Sequence, residues 1–365
     1  MCDELTVVSL RDNYNVMFSD RVADVLHKRY ERDAIFVIDD KLIDLHEDRF
    51  TSVLNRECHI PVEAKEENKT LEYCQHVLQL LIGQHMRKNW TLVALGGGVI
   101  QDIVGFIASI LFRGIRWEFF PTTLLAQADS CIGSKTSINF GKYKNLLGSF
   151  YPPSNIYIDV HFLDTLPVSE LKSGIGEILH FFMIAKSPLL TRLVDHYDEL
   201  LSSPGLLKEY IIESLSIKKK VVEIDEYDNN ERNVFNYGHT FGHAIETVSQ
   251  YSVNHGQAVT MGMDIANFVS LSLGKVAERD FEVMHKILLK NMPVFHLRAD
   301  MTERYFAALS KDKKNIGENL GCILSGGLGA MQRAQIPIND KLKKIIIEYY
   351  EIYGIEKHPE GSVKR

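Results

Sequence analysis

The sequence predicts an α/β protein in which a doubly wound, mostly parallel sheet is followed by a mainly helical second domain. Three observations carry that expectation. Short apolar runs alternate with longer segments of helical period through the first 150 residues. One of those runs leads straight into a triple-glycine turn, and after Tyr151-Pro152-Pro153 the apolar spacing turns helical almost to the end. Strands separated by helices indicate a parallel sheet with helices on its faces. A chain of 365 residues also exceeds an average domain, which fits a division in two.

The elements follow in order. Ala34–Ile38 (AIFVI) reads as a buried strand ending at Asp39, and Thr91–Leu95 (TLVAL) as another that enters Gly96-Gly97-Gly98. Trp117–Phe120 is a third strand, stopped by Pro121, and Ile156–Asp159 a fourth. Leu171–Ile184, Leu206–Glu223, Asn236–Ser249 and Gln257–Leu273 have helical period. The boundary is expected between Pro153 and Asp164, giving domains at 1–155 and 156–355 and a polar, frayed tail at 356–365.

Composition narrows the function. The 45% hydrophobic and 24% charged content is that of a globular chain rather than a disordered or fibrous one. Forty-one basic against 48 acidic residues give a net charge of −7, which argues against general binding to nucleic acid or an anionic membrane. The longest apolar stretch, Ile103–Phe112, is far shorter than the roughly 20 residues of a membrane span. No basic leader precedes an apolar block at the amino terminus, so secretion is not expected. Cys2, Cys58, Cys74, Cys131 and Cys322 are scattered and form no CxxC, which fits a reducing cytoplasm.

Several polar groups stand out against this background. In Gly96-Gly97-Gly98-Val99-Ile100-Gln101-Asp102 a strand meets a helix start, where backbone N–H groups attract anions. The turn either receives a phosphate or dinucleotide or is a tight turn without a ligand. Pro121-Thr122-Thr123 closes a strand at the same sheet edge, where ligands of open α/β sheets bind, and Asp39 could meet a ribose hydroxyl there. Asp129-Ser130, Lys135-Thr136 and Lys144-Asn145 form a polar cluster that either clamps a phosphate or polyol or is a solvated loop. Arg113-Gly114 ends the apolar run before it.

In the second half, Glu177 lies in Gly174-Ile175-Gly176-Glu177-Ile178-Leu179, too apolar a setting for an unpartnered carboxylate. A divalent cation is an effective partner for such a group. His239 and His243 stand at i and i+4, the natural paired ligands by spacing, with His255 after a short gap and His180 one turn beyond Glu177. Three or four such side chains with an open position make a catalytic metal site. Lys218 shares the inward face of Ile211, Leu215 and Val222, and is either a substrate-binding lysine or a snorkelling one. Arg232 and Asn236 fall near the helix start that carries His239.

Together these pieces resemble the dehydroquinate synthase superfamily, the sugar phosphate cyclases. The resemblance runs from about Asp39 to Gly326 and rests on GGGVIQD (Gly96–Asp102), FRGIRW to PTTLLAQADS (Phe112–Ser130), GSKTSIN (Gly133–Asn139), KNLLGSF (Lys144–Phe150) and NYGHTFGHAIE (Asn236–Glu246). It implies a nucleotide-binding first domain taking NAD+ and a helical second domain holding a divalent metal, usually Zn2+ with Co2+ as an alternative. It implies Glu177, His239 and His255 as metal ligands, which moves His243 to the substrate. Substrate contacts would then be Asp129, Lys135, Asn145, Lys218, Arg232, Asn236, His243 and, of Lys313-Lys314, Lys314. Cofactor contacts would be Asp39, Glu66, Lys69, Gly97, Gly98, Asp102, Thr122 and Thr123, with Lys144 beside them. Arg113 matches an arginine that reaches the neighbouring subunit's site, implying a homodimer.

The implied reaction converts a phosphorylated sugar or sugar acid into a carbocycle, with phosphate elimination and no net redox change. A metal-dependent polyol dehydrogenase is the rival class, and a non-catalytic homologue the third. Three positions depart from the family pattern: His180 in place of a lysine, Gln257 in place of a glutamate after His-Gly, and Gln101 in place of a glycine. Tyr151-Pro152-Pro153 is similar to 2-deoxy-scyllo-inosose synthases, whereas Arg232 and Asn236 are similar to 3-dehydroquinate synthases.

Overall fold

The computed structural model describes residues 4–20, 22–30, 33–55, 58–141, 143–312, 314–357 and 363–364. In chain order the elements begin with β1 (Glu4–Val7), β2 (Tyr14–Phe18), α1 (Val22–Arg29), β3 (Ala34–Asp39), α2 (Asp40–Leu45), α3 (Glu47–Leu54) and β4 (His59–Val62). They continue with α4 (Leu71–Gly83), β5 (Thr91–Gly96), α5 (Gly98–Ile110), β6 (Trp117–Pro121), β7 (Lys135–Phe140), β8 (Tyr143–Phe150) and β9 (Asn155–Ile158). Next come α6 (Val168–Ala185), α7 (Leu189–Asp195), α8 (Tyr197–Ser202), α9 (Lys208–Val222), α10 (His239–Val248) and α11 (His255–Ser272). The remainder is α12 (Glu278–Leu288), α13 (Ala299–Ser310), β10 (Asn319–Ser325), β11 (Met331–Pro337), α14 (Asp340–Tyr353) and the short pair β12 (Glu356–Lys357) and β13 (Val363–Lys364).

Two compact units result. The first comprises Met1–Pro167 and Ser203–Tyr227, the second Val168–Ser202 and Asp228–Arg365. This division differs from the 1–155 and 156–355 read from sequence for two reasons: β9 pairs with β2 and β6, which keeps the chain to Pro167 in the first unit, and α9 belongs there too. Ser214 Oγ donates to the Ala128 carbonyl at 2.8 Å, and Lys218 Nζ to Asp129. Farther along, Glu223 accepts from the Val8 N–H and Glu226 from the Leu10 N–H, both at 2.7 Å. A segment of helical period thus serves the first unit. Of the expected tail, 358–362 and 365 lie outside the described residues, while β12 and β13 pair antiparallel.

The first unit holds a seven-stranded sheet in the order β1-β2-β9-β6-β5-β3-β4, parallel except for β1 against β2. Ile35, Phe36, Val37 and Ile38 of β3 and Leu92, Val93, Ala94 and Leu95 of β5 expose nothing. Continuous apolar runs are what strands covered on both faces require. Full burial contributes about 1.5–3 kcal/mol for each large side chain. From β3 the chain moves outward to β4, then returns to the other side as β5 and β6. Asp39 and the glycine turn therefore end neighbouring strands at the reversal point of the sheet, where such folds bind ligands.

The second unit is mainly helical, with α10 and α6 packed on α11. It also contains the β10–β11 hairpin, which the helical reading did not anticipate. No helix among the described residues is long and apolar enough to cross a membrane.

Candidate metal centre and nucleotide turn

At the end of β5, Gly97 caps α5 in an extended conformation. A side chain at Gly97 would meet Thr123 Cγ2 at 2.8 Å, whereas one at Gly98 would meet only Ser130 Oγ, at 3.9 Å. As at any helix start, the first α5 N–H groups have no acceptor within the helix, and the macrodipole adds to their attraction for an anion. Thr122 donates its N–H to the Gly96 carbonyl at 2.9 Å, and Thr123 Oγ1 accepts from the Ala126 N–H at 3.2 Å. Both threonines frame the turn. Asp39 caps α2 by accepting from the Lys41 N–H at 3.2 Å, and burial raises its carboxyl pKa.

One turn into α5, Asp102 anchors a polar network. Lys69 Nζ lies 3.0 Å from its Oδ2 and 3.5 Å from Glu66 Oε1. Ser137 donates its N–H to Asp102 at 2.8 Å and its hydroxyl at 3.1 Å, and the same hydroxyl lies 3.0 Å from Asn145 Oδ1. Asn139 closes the circuit by donating to Glu66 and accepting from the Asn145 N–H. Desolvation raises the Asp102 pKa, and Lys69 and Ser137 oppose it. Asn145, expected among the substrate contacts, is thus hydrogen-bonded into the network around Asp102, Lys69 and Glu66. Ser137 and Asn139 were not singled out, although with Lys135 they recur at period two along β7.

Beside this network, Lys218 is buried, and its Nζ sits 2.7 Å from the Asp129 carbonyl and 2.8 Å from Asp129 Oδ1. Lys218 therefore points inward to Asp129 rather than snorkelling to solvent. Lys135 and Lys144 are exposed, and Arg113 stands in a left-handed turn at φ 64°.

In the second unit the candidate metal site draws one residue from each of three helices. Gly176, Gly238 and Gly256 stand beside Glu177, His239 and His255. A Cβ at Gly176 would lie 2.1 Å from the Gly256 carbonyl oxygen, so only glycine lets α6 and α11 approach this closely. Gly238 has φ 81° and separates the 3₁₀ turn Glu231–Asn236 from α10, so that helix begins at His239 rather than Asn236. Each close approach therefore delivers its neighbouring side chain to the same place.

Glu177 Oε1 lies 3.3 Å from His255 Nε2 and 3.8 Å from His239 Nε2. It is buried yet makes no well-formed hydrogen bond among the described residues. Ligand bonds of about 2.0–2.1 Å in a tetrahedral centre set donors about 3.3–3.4 Å apart, close to the spacing here. The three ligand atoms all fall within 4.8 Å of one another, and the residues fit a divalent ion. Burial, then neighbouring His180 and His255, hold His239 well below the usual histidine range, favouring the neutral, ligating form. On His255 burial opposes protonation, but Glu177 and Glu246 outweigh it and hold the pKa well above that range. Glu246 lies 3.3 Å from His255 Nδ1, an outer partner that fixes ring orientation.

The paired-histidine reading by spacing needs correction. His239 faces Glu177, whereas His243 is exposed and groups with Glu246 and His255 instead. One helical turn advances the side chain about 5.4 Å, past the buried carboxylate. His180 is buried, 3.6 Å from Glu177 Oε2, with its ring 5.1 Å from that of His239. Lys314 Nζ lies 3.3 Å from Asn236 Oδ1 and 3.1 Å from Asp312, and Arg232 is buried in the preceding turn. Lys313 lies outside the described residues. Gln257 donates to the Asn291 carbonyl at 3.4 Å.

Comparison with known proteins gives this arrangement a family. The chain is 37% identical over 290 residues to the 3-dehydroquinate synthase of Helicobacter pylori (strain P12), spanning 79% of this chain and 83% of that one. It is 34% identical over 316 residues to that of Clostridium tetani (strain Massachusetts / E88), spanning 83% and 84%. A crystal structure of 2-deoxy-scyllo-inosose synthase, complexed with carbaglucose-6-phosphate, NAD+ and Co2+, superposes with a TM-score of 0.84 at 26% identity, covering 94% of this chain and 99% of that one. Residues 59–173 match the amino-terminal and residues 174–315 the carboxyl-terminal 3-dehydroquinate synthase family model, and the chain belongs to that family.

Proposed function

We propose that the protein is an NAD+- and divalent-metal-dependent sugar phosphate cyclase, with a phosphorylated sugar acid as substrate and 3-dehydroquinate synthase activity as its reaction. The carrying observation is the Glu177, His239 and His255 triad around a buried oxygen that lacks a formed hydrogen bond. Family membership supplies the reaction class.

Glu177, His239 and His255 would hold a divalent ion, which would supply Lewis-acid polarisation of a carbinol oxygen, and NAD+ at the glycine turn would supply reversible hydride transfer, so that elimination of phosphate would carry no net redox change. The chain's own residues do the rest. The first α5 N–H groups after Gly97 receive the cofactor's pyrophosphate, flanked by Thr122 and Thr123. Lys218, already joined to Asp129 at 2.8 Å, donates to a substrate hydroxyl, and the Asp129 carboxylate accepts that hydroxyl's proton. Lys135, His243 and Lys314 supply donors for phosphate, and Arg232 and Asn236 bind the carboxylate. Arg113 of a partner subunit completes the phosphate contacts in a homodimer.

A second reading, 2-deoxy-scyllo-inosose synthase activity, is favoured by the structural similarity at TM-score 0.84. The metal- and NAD+-supplied protein is to be offered a phosphorylated sugar acid and a hexose 6-phosphate in parallel. Release of inorganic phosphate from the sugar acid, with no lasting rise in NADH absorbance, is the expected result. Release from the hexose phosphate alone selects the second reading. Stoichiometric NADH without phosphate shows a dehydrogenase and removes both.

A further inference from the structure

Residues 126–130 form a π-helical turn, closed by the Cys131 N–H donating to the Ala126 carbonyl at 3.1 Å. The last carbonyls of any helix lack partners within it, and here side chains supply them. Ser214 Oγ donates to the Ala128 carbonyl at 2.8 Å, Lys218 Nζ to the Asp129 carbonyl at 2.7 Å, and Gln101 Nε2 to the Ser130 carbonyl at 2.6 Å. In return Ser130 Oγ donates to Gln101 Oε1 at 2.6 Å. Both ends of one amide are therefore bonded to one residue, which leaves a single orientation for each. Gln101 is buried, and its own N–H is the α5 donor to the Gly97 carbonyl, at 3.0 Å.

The geometry points to Gln101 as a positioning residue: its doubly bonded amide fixes Ser130 relative to the glycine turn, and thereby sets the Asp129–Lys218 pair one residue away. The inference rests on the proposed reaction for the use of that pair. Asp129 keeps 22% of its side-chain surface exposed while Lys218 keeps 7%, so the pair is presented through the aspartate. A turn held at three consecutive carbonyls cannot shift at one without moving the others. Side-chain packing alone would need Gln101's volume but not its two bonds.

The test uses Gln101→Met, which keeps volume and helix propensity without the bonds. A second variant, Gln101→Glu, keeps the acceptor for Ser130 Oγ but sets an oxygen against the Ser130 carbonyl. Each is loaded with metal and NAD+ and assayed for phosphate release, NAD+ affinity and amide exchange. A misplacement near 1 Å costs about 100-fold, so kcat should fall about 10- to 100-fold. Substrate KM and NAD+ affinity should stay within about threefold of the parent, and exchange should accelerate in peptides covering 126–131. In a Ser130→Ala background, Gln101→Met should cost less than it does alone, because part of the same clamp is already gone. A folded variant with parental kcat, or with unchanged exchange at 126–131, overturns the inference. If Gln101→Met does not fold, Gln101→Glu decides by the same readouts. If the parent itself releases no phosphate from any sugar phosphate, the proposed reaction fails, and the clamp stands or falls on exchange at 126–131.

Discussion

Glu177 shows how one residue's surroundings dictate its chemistry. Its carboxylate is almost fully enclosed, with three histidine rings facing it. Isolated burial of that charge would cost many kcal/mol, so a cation is the economical partner. His255 contributes the nearest nitrogen, and removing it leaves two ligands. We expect His255→Ala to purify with less than one-tenth of the parental metal content, a loss larger than the about 10-fold minimum tied to outer partners. Elemental analysis showing full occupancy would remove His255 from the ligand set. His180 is a different matter. Its ring lies against Phe181, Phe235, Tyr237 and His239, and it offers fewer donors than a lysine would. His180→Lys should therefore change the ranking of sugar phosphates as substrates, measured as kcat/KM across a panel. An unchanged ranking would assign His180 to packing alone.

At the scale of elements, glycine contacts bring the site together. A methyl group at Gly176 would sit 2.1 Å from the Gly256 carbonyl, and backbone there has nowhere to yield without parting α6 from α11. Gly176→Ala is expected to destabilise the protein by about 1–3 kcal/mol or more, and to lower metal affinity as well, because Glu177 and His255 ride on the separated helices. A calorimetric midpoint and metal affinity both equal to the parent's would show that the contact is soft. The same scale explains what could be read from sequence. Strands β3, β5, β6 and β9 were legible because buried parallel strands are written as plain apolar runs. The β7–β8 hairpin was not, since most of β8 is exposed or half-buried and carries no alternation. Helix α9 was legible as a helix, yet nothing in its period says which unit it joins. That is decided by Ser214, Lys218, Glu223 and Glu226, whose partners lie 86 or more residues away.

Over the whole molecule, the candidate metal site was legible by resemblance and misread by spacing. An i,i+4 histidine pair is a local pattern, whereas the observed trio joins α6, α10 and α11 across long sequence separations. No periodicity argument reaches that far. The arrangement has a consequence for stability, because a metal that binds only the folded triad adds RT ln(1 + [L]/Kd) to it. At a free metal concentration 100 times Kd the gain is about 2.7 kcal/mol. Chelation should therefore lower the unfolding midpoint of the parent, and re-addition of Zn2+ or Co2+ should restore it in a concentration-dependent way. His255→Ala should respond to neither treatment. Hydrogen exchange locates the effect: chelation should accelerate amides of α6, α10 and α11 while leaving β3, β5 and α5 at their metal-loaded rates. A midpoint indifferent to chelator in protein shown to have held metal would mean that the ion binds elsewhere or equally to the unfolded chain.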